Sequence, residues 1–274
     1  MNPLQHLLPL VALLAACGPA VPEMPPSPTA ALSVAAVRAD SDQRFDILLE
    51  GATTNDIFSI YAIDRPSPRA RNFTLRLNFT GVAWDDSRTA TLVTPEHVVM
   101  AAHYQRPVGS TLVFHDHGGR PQRRELVAVE SLAGLADVAV GRLDSPVPDS
   151  VHPYRLLPPS DGYGALAGCL AVVTDQHRKA FLHEIAAVHG TTLSFRHPAP
   201  ARIAPHLTKN LVGGDSGNPS FLLAGGELVL IGTHTSGGPG SGPFLSSPAL
   251  FAAIQEAMSR LGGGRSLQVV PVIH

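Results

Sequence analysis

Short apolar or alternating runs recur along most of the chain, each bounded by turn formers. They are clearest at 74–79, 89–93, 111–114, 125–129, 138–143, 169–173, 180–188, 192–195, 219–223 and 228–233. The punctuation between them includes Pro107-Val108-Gly109, Gly118-Gly119, His189-Gly190 and Gly225-Gly226. Many short strands at close spacing, separated by Gly and Pro turns, predict an all-β sandwich or barrel. One helix is predicted, over 248–261. Ser247 can cap it, Pro248 fits its first turn, and Leu250, Phe251, Ile254, Met258 and Leu261 line one apolar face before the glycines at 262–264 end it.

The first 42 residues follow a different pattern. Residues 7–16 are apolar apart from Pro9, too short to span a bilayer and followed by small residues, which is the shape of a signal peptide over 1–16. The run Leu14-Ala15-Ala16-Cys17-Gly18 resembles the bacterial lipobox, in which the cysteine is acylated and becomes the mature N-terminus. The alternative is an ordinary signal peptide that leaves Cys17 free. Either way the chain leaves the cytoplasm. With the lipid it is held on a bacterial membrane, the outer one in the first instance; without it, it is periplasmic or secreted. Residues 17–42 are rich in Pro, Ala and Ser and are expected to form an extended tether. The body beyond divides into 43–150 and 151–274.

Composition narrows the function classes. With 44% apolar and 15% charged residues, the chain can build a core and is not disordered. A net charge of −2 leaves no electrostatic footprint for nucleic acid. Two cysteines, Cys17 and Cys169, are too few for a disulfide framework, and Cys169 reads as a small buried hydrophobe. Two Asn-Phe-Thr triplets, at Asn72 and Asn78, read as strand sequence.

Three segments carry candidate chemistry. In Thr91-Leu92-Val93-Thr94-Pro95-Glu96-His97-Val98-Val99-Met100-Ala101-Ala102-His103, an apolar strand and a turn lead to paired alanines. Small residues there let a tight turn lie against a sheet and hold the imidazole of His103 at its edge. In Asp137-Val138-Ala139-Val140-Gly141-Arg142-Leu143, a carboxylate opens an apolar strand. A partly buried carboxylate needs a hydrogen-bonding partner, and an imidazole N–H is a suitable one. In Gly213-Gly214-Asp215-Ser216-Gly217-Asn218-Pro219, glycines flank a serine. Such a turn can project a hydroxyl and bring backbone N–H groups together for an oxyanion.

In this order and with these flanks, His103, Asp137 and Ser216 resemble the chymotrypsin-like (trypsin-fold) serine proteases. That family places its His in a Thr-Ala-Ala-His-Cys motif, its Asp at the start of an Asp-Ile-Ala-Leu strand and its Ser in Gly-Asp-Ser-Gly-Gly-Pro. The resemblance covers about 75–261. It implies two six-stranded antiparallel β-barrels and a C-terminal α-helix, with His103 and Asp137 on the first barrel and Ser216 on the second. It implies a serine endopeptidase acting on polypeptides through an acyl-enzyme, with the N–H groups of Gly214 and Ser216 as the oxyanion hole and no metal or cofactor. The departures are Tyr104 after the His, Asn218 for the second glycine of the serine motif, and no evident partner for Asp215.

For substrate selection the resemblance points to Asn210, Leu211, His234, Thr235, Ser236 and Gly237 as the pocket. Trypsin-like members have Asp at the position of Asn210, so a preference for Arg or Lys is not expected. His234 aligns with a histidine that binds the substrate glutamate in glutamyl endopeptidases, so an acidic preference is one possibility and a histidine that merely lines its strand is the other. His115 and His117 make only a weak case for a metal. Two rival functions use the same residues or the same fold: a serine esterase, and a silent protease fold that binds a partner with its loops.

Overall fold

The computed structural model describes residues 32–85 and 87–273. The signal peptide and Cys17 expected from the sequence lie outside the described residues. A two-residue strand β1 (Leu32–Ser33) leads into helix α1 (Val34–Leu48). Six strands then form one antiparallel sheet: β2 (Val82–Ala83), β3 (Ala90–Thr94), β4 (His97–Met100), β5 (Thr111–His115), β6 (Pro121–Ser131) and β7 (Ala139–Leu143), in the order β2-β3-β4-β7-β6-β5. Edge strands β2 and β5 pack beside each other, so the sheet curls into a barrel-like form.

The second sheet holds β8 (Leu170–Thr174), β9 (Ala180–His189), β10 (Thr192–Arg196), β11 (Pro219–Ala224), β12 (Glu227–Thr233) and β13 (Ser241–Pro243), in the order β12-β11-β8-β9-β10-β13. Its ends meet where Gly232 bridges Phe244 and Leu245 N–H donates to Ile231 O at 3.0 Å. Helix α2 (Pro248–Leu261) follows, and β14 (Val272–Ile273) pairs in parallel with β1. The fold is mostly β, with two six-stranded antiparallel barrel-like sheets and two helices. It is consistent with the trypsin-like double-barrel fold.

The strand sequences read as continuous apolar runs because both faces of the strands are covered. Successive side chains point to opposite faces. Leu92, Val98, Met100, Leu112 and Phe114 therefore fill the first barrel, while Val93, Val99 and Val140 point outward into a core shared with the second. The second barrel mirrors this, with Val173, Leu222, Val229 and Ile231 inside and Val172, Phe221, Leu223 and Leu230 facing the shared core. Phe79 meets Phe221 edge to face at 6.2 Å between ring centroids in that shared layer.

Three sequence expectations need correction. Residues 34–42, assigned to the tether, belong to α1. No proline occurs between Pro28 and Pro66, and Ala35, Ala36 and Ala39 carry the highest helix propensity. Ser33 caps the helix by accepting from Ala36 N–H at 3.2 Å. Val34 and Val37 enter the second barrel's core, and Phe45 and Leu48 enter the shared one. Asp40 accepts from Gly225 N–H at 2.8 Å, and Arg202 joins Asp42 to Glu184, so the helix is part of the folded body.

The strand expected at 74–79 is instead a 3-10 helix (Phe73–Arg76) followed by irregular chain. Asn72 accepts from Thr74 N–H and its hydroxyl at 2.9 and 2.7 Å, and Asn78 accepts from Thr80 in the same way at 3.0 and 2.8 Å. Both Asn-Phe-Thr triplets are thus side-chain-closed turns, a geometry that competes with a β-ladder. Helix α2 has the expected bounds and Ser247 occupies its cap position, but the Ser247 hydroxyl makes no capping bond.

Candidate active site

Strand β4 delivers Ala101, which is fully buried, and the chain then tightens into a 3-10 helix (Ala102–Tyr104) that carries His103. Asp137 lies two residues before β7, and Val138 between them is also fully buried. Ser216 lies in the turn before β11 of the other sheet. The structure brings the three side chains together. His103 Nδ1 lies 2.5 Å from Asp137 Oδ2, and His103 Nε2 lies 3.0 Å from Ser216 Oγ. Asp137 Oδ1 also accepts the backbone N–H of His103 at 2.9 Å, which fixes the carboxylate from two directions. An ionised carboxylate only accepts hydrogen bonds, so the imidazole proton sits on Nδ1. Nε2 is then an acceptor facing the serine hydroxyl.

The serine turn needs glycine at two places. Gly214 has φ +95°, and a Cβ there would overlap the Gln176 amide at 2.4 Å. Gly217 has φ +83°, and a Cβ would sit 3.1 Å from Thr89 O and 3.3 Å from Ala101 N, across the seam between the sheets. Within this turn Asp215 N–H donates to Val212 O and Gly217 N–H to His234 O. Among the described residues, the N–H groups of Gly214 and Ser216 donate to no backbone carbonyl. Both belong to the turn that carries the serine hydroxyl, and unengaged backbone donors in such a turn are available to a developing oxyanion.

The partner of Asp215, which the sequence left open, is Lys209. The carboxylate is 1% exposed and lies 3.0 Å from Lys209 Nζ, while accepting the N–H groups of Val212 and Gln176 at 2.9 and 3.1 Å. Asn218 also gains a role. Its Oδ1 accepts from Trp84 Nε1 at 3.1 Å, tying the serine turn to the first sheet, and its Nδ2 donates to Asp215 O. Lys209, Gln176 and Trp84 had no motif to mark them. Only the short separation of Lys209 from Ser216 hinted at contact, and Gln176 and Trp84 arrive through the topology.

The residues proposed for the pocket divide. Asn210, Ser236 and Gly237 are exposed and Thr235 is half-buried, but Leu211 and His234 are buried. Leu211 pairs with Gly238 through both backbone hydrogen bonds, 2.7 and 3.0 Å, which zips the two walls together. The Leu211 side chain packs onto Gly240, where a Cβ would meet Cδ1 at 2.7 Å and His234 Nδ1 at 3.0 Å. Asn210 Oδ1 meets His197 Nε2 at 2.9 Å.

His234 is 1% exposed, its Nε2 is 3.2 Å from Ser220 Oγ, and burial lowers its pKa to about 3. An enclosed, neutral imidazole offers no positive charge to an acidic side chain, which weighs against the acidic preference suggested by its position. Burial likewise lowers His183 to about 4. Both histidines bind protons less readily when folded than when unfolded. Stability is therefore full above their ordinary pKa of about 6.5 and declines as pH falls toward about 4. Each contributes up to about 1.4 kcal/mol of lost stability per pH unit in that window. Urea unfolding between pH 7 and pH 4.5 is expected to show this fall, and His183→Gln to flatten it.

Other candidates are structural. Cys169 is fully buried, and desolvation raises its thiol to about 11. His115 is buried, with Nε2 3.1 Å from Ser67 Oγ and 3.0 Å from Ala62 O, whereas His117 is exposed beside His152. The two imidazoles face different surroundings. No protein-family model matches the chain, and a search of the curated proteins finds no match.

Proposed function

We propose that the chain is a serine endopeptidase. The observation that carries this reading is the continuous chain from Asp137 through His103 to Ser216 Oγ, in a turn where, among the described residues, Gly214 and Ser216 N–H donate to no backbone carbonyl. In this mechanism His103 Nε2 takes the hydroxyl proton as Ser216 Oγ bonds to the carbonyl carbon. Asp137 stabilises the imidazolium and keeps its orientation, and the two N–H groups bind the oxyanion. Collapse of the tetrahedral intermediate transfers the proton from His103 to the leaving amine and leaves an acyl-enzyme on Ser216. Water then repeats the sequence, with His103 again the base, and releases the acid. Neither a metal nor a cofactor takes part.

The protein is exported and held at the bacterial envelope by a lipid on Cys17, where its substrates are polypeptides. With Leu211 packed against Gly240 and its backbone zipped to Gly238, the primary pocket is shallow, and a small side chain is expected on the acyl side of the cleaved bond. Digestion of a mixed peptide library, with cut sites mapped by mass spectrometry, tests both points. Cleavage after small residues is expected from the wild type. Leu211→Gly is expected to raise kcat/KM for larger apolar residues at that position about 10–200-fold relative to small ones. No cleavage of any peptide by folded protein would count against the endopeptidase reading, and an unchanged profile in Leu211→Gly against the pocket.

A further inference from the structure

The serine turn is held from beneath by a single ammonium group. Lys209 Nζ lies 2.7 Å from Asp175 Oδ2 and 3.0 Å from Asp215 Oδ2, and both carboxylates are 1% exposed. The lysine side chain is itself only 19% exposed and passes over the ring of Phe181 at 5.7 Å. The remaining oxygens of the two carboxylates are spent on backbone. Asp175 Oδ1 accepts from His177 and Lys179 N–H at 2.9 and 3.0 Å, which shapes the turn after β8. Asp215 Oδ1 accepts from Gln176 N–H, and the Gln176 side chain donates to Gly213 O at 3.0 Å. The turn after β8 and the turn bearing Ser216 are thus clamped face to face around one cation.

Two buried carboxylates this close cannot both stay ionised without a counter-charge, because burial penalises the charged form and like charges add to the penalty. Without the Lys209 ammonium, the Asp215 carboxylate would be drawn toward water, and that movement would strain or break its bonds from Val212 N–H and Gln176 N–H, the contacts that set the path of 212–216. The N–H groups of Gly214 and Ser216 lie on that path.

We propose that Lys209 is a positioning residue. Acting through Asp215, its ammonium holds the 212–216 turn so that the Gly214 and Ser216 N–H groups and the serine hydroxyl converge. The proposal rests on the serine-hydrolase reading for its catalytic consequence, but its structural part can be measured without activity. It also means that an internal lysine supplies the charge opposite Asp215, so forming the site requires no cleavage to free a new N-terminus.

The test compares full-length wild type, Lys209→Met and the double variant Lys209→Met/Asp175→Asn. The double variant removes one buried anion with the cation, leaves Asp215 alone without a partner, and is the one expected to keep its fold. Two readouts are taken: the second-order rate of fluorophosphonate reaction at Ser216, and amide hydrogen exchange in peptides covering 209–218. In both variants labelling is expected to slow about 100-fold, the scale of losing one oxyanion donor. Exchange over 212–217 is expected to quicken at least about tenfold while that of β3, β4 and β7 is unchanged.

If Lys209 serves only to offset Asp175, the double variant will match wild type in both readouts, and the proposal is overturned. Wild-type labelling despite faster exchange also overturns it. Should wild type itself fail to label, the serine-hydrolase reading falls. The exchange data then still decide whether Lys209 holds the turn: faster exchange over 212–217 upholds it and unchanged exchange overturns it.

Discussion

Replacing His103 with alanine is expected to lower kcat for peptide hydrolysis by about 10⁶-fold, close to the loss from removing the nucleophile itself. The reason is geometric. Among the described residues, the base placed to take the Ser216 proton is His103 Nε2 at 3.0 Å, and an unassisted serine hydroxyl is a weak nucleophile at neutral pH. His103 is 48% exposed at the side chain, so the truncation leaves no buried cavity, and the melting curve should barely move. Steady-state kinetics beside thermal unfolding check this. A loss of activity that tracked a loss of fold would point instead to a structural histidine.

The second large effect is expected from Asp137→Asn, about 10⁴-fold in kcat. The carboxylate is pinned at both oxygens, one accepting the backbone N–H of His103 and the other facing Nδ1. In the amide the oxygen must keep the backbone contact, since an NH₂ group placed there would meet another donor. The NH₂ group therefore turns toward Nδ1 and donates to it. That forces the imidazole proton onto Nε2, where it points at Ser216 Oγ and blocks the transfer. The fold has no reason to change, so the substitution separates tautomer control from scaffolding. Proton NMR of the imidazole N–H, compared with wild type, reads the tautomer directly.

Much of this architecture was legible in the sequence because it depends on local signals. Nine of the ten segments marked by apolar runs between turn formers are strands, and 74–79 is the exception. Helix α2 kept its expected bounds because Pro248 and the glycines at 262–264 punctuate it. His103, Asp137 and Ser216 stood out through their flanks, and those flanks have physical work to do. Ala101 and Gly217 are small because the two sheets approach there, and Val138, next to Asp137, is fully buried.

What the sequence hid depends on distant partners. Helix α1 was masked by the proline-rich stretch before it, since composition averaged over 18–42 blurs a boundary at Ser33. The Asn-Phe-Thr triplets look like strand sequence until their side-chain hydrogen bonds are seen. Lys209 is one cation among several, and only the fold sets it between Asp175 and Asp215. Leu211 gave no sign that its side chain would fill the space beside Gly240.

Reaction with a fluorophosphonate probe asks whether Ser216 is an activated nucleophile. Full-length wild type and Ser216→Ala, both shown to be folded, are treated with the probe at pH 7.5, and the modified peptide is identified by mass spectrometry. One adduct is expected, on Ser216 Oγ, in wild type and none in the variant. Folded wild-type protein that takes up no probe, or takes it up equally when Ser216 is alanine, would contradict that expectation.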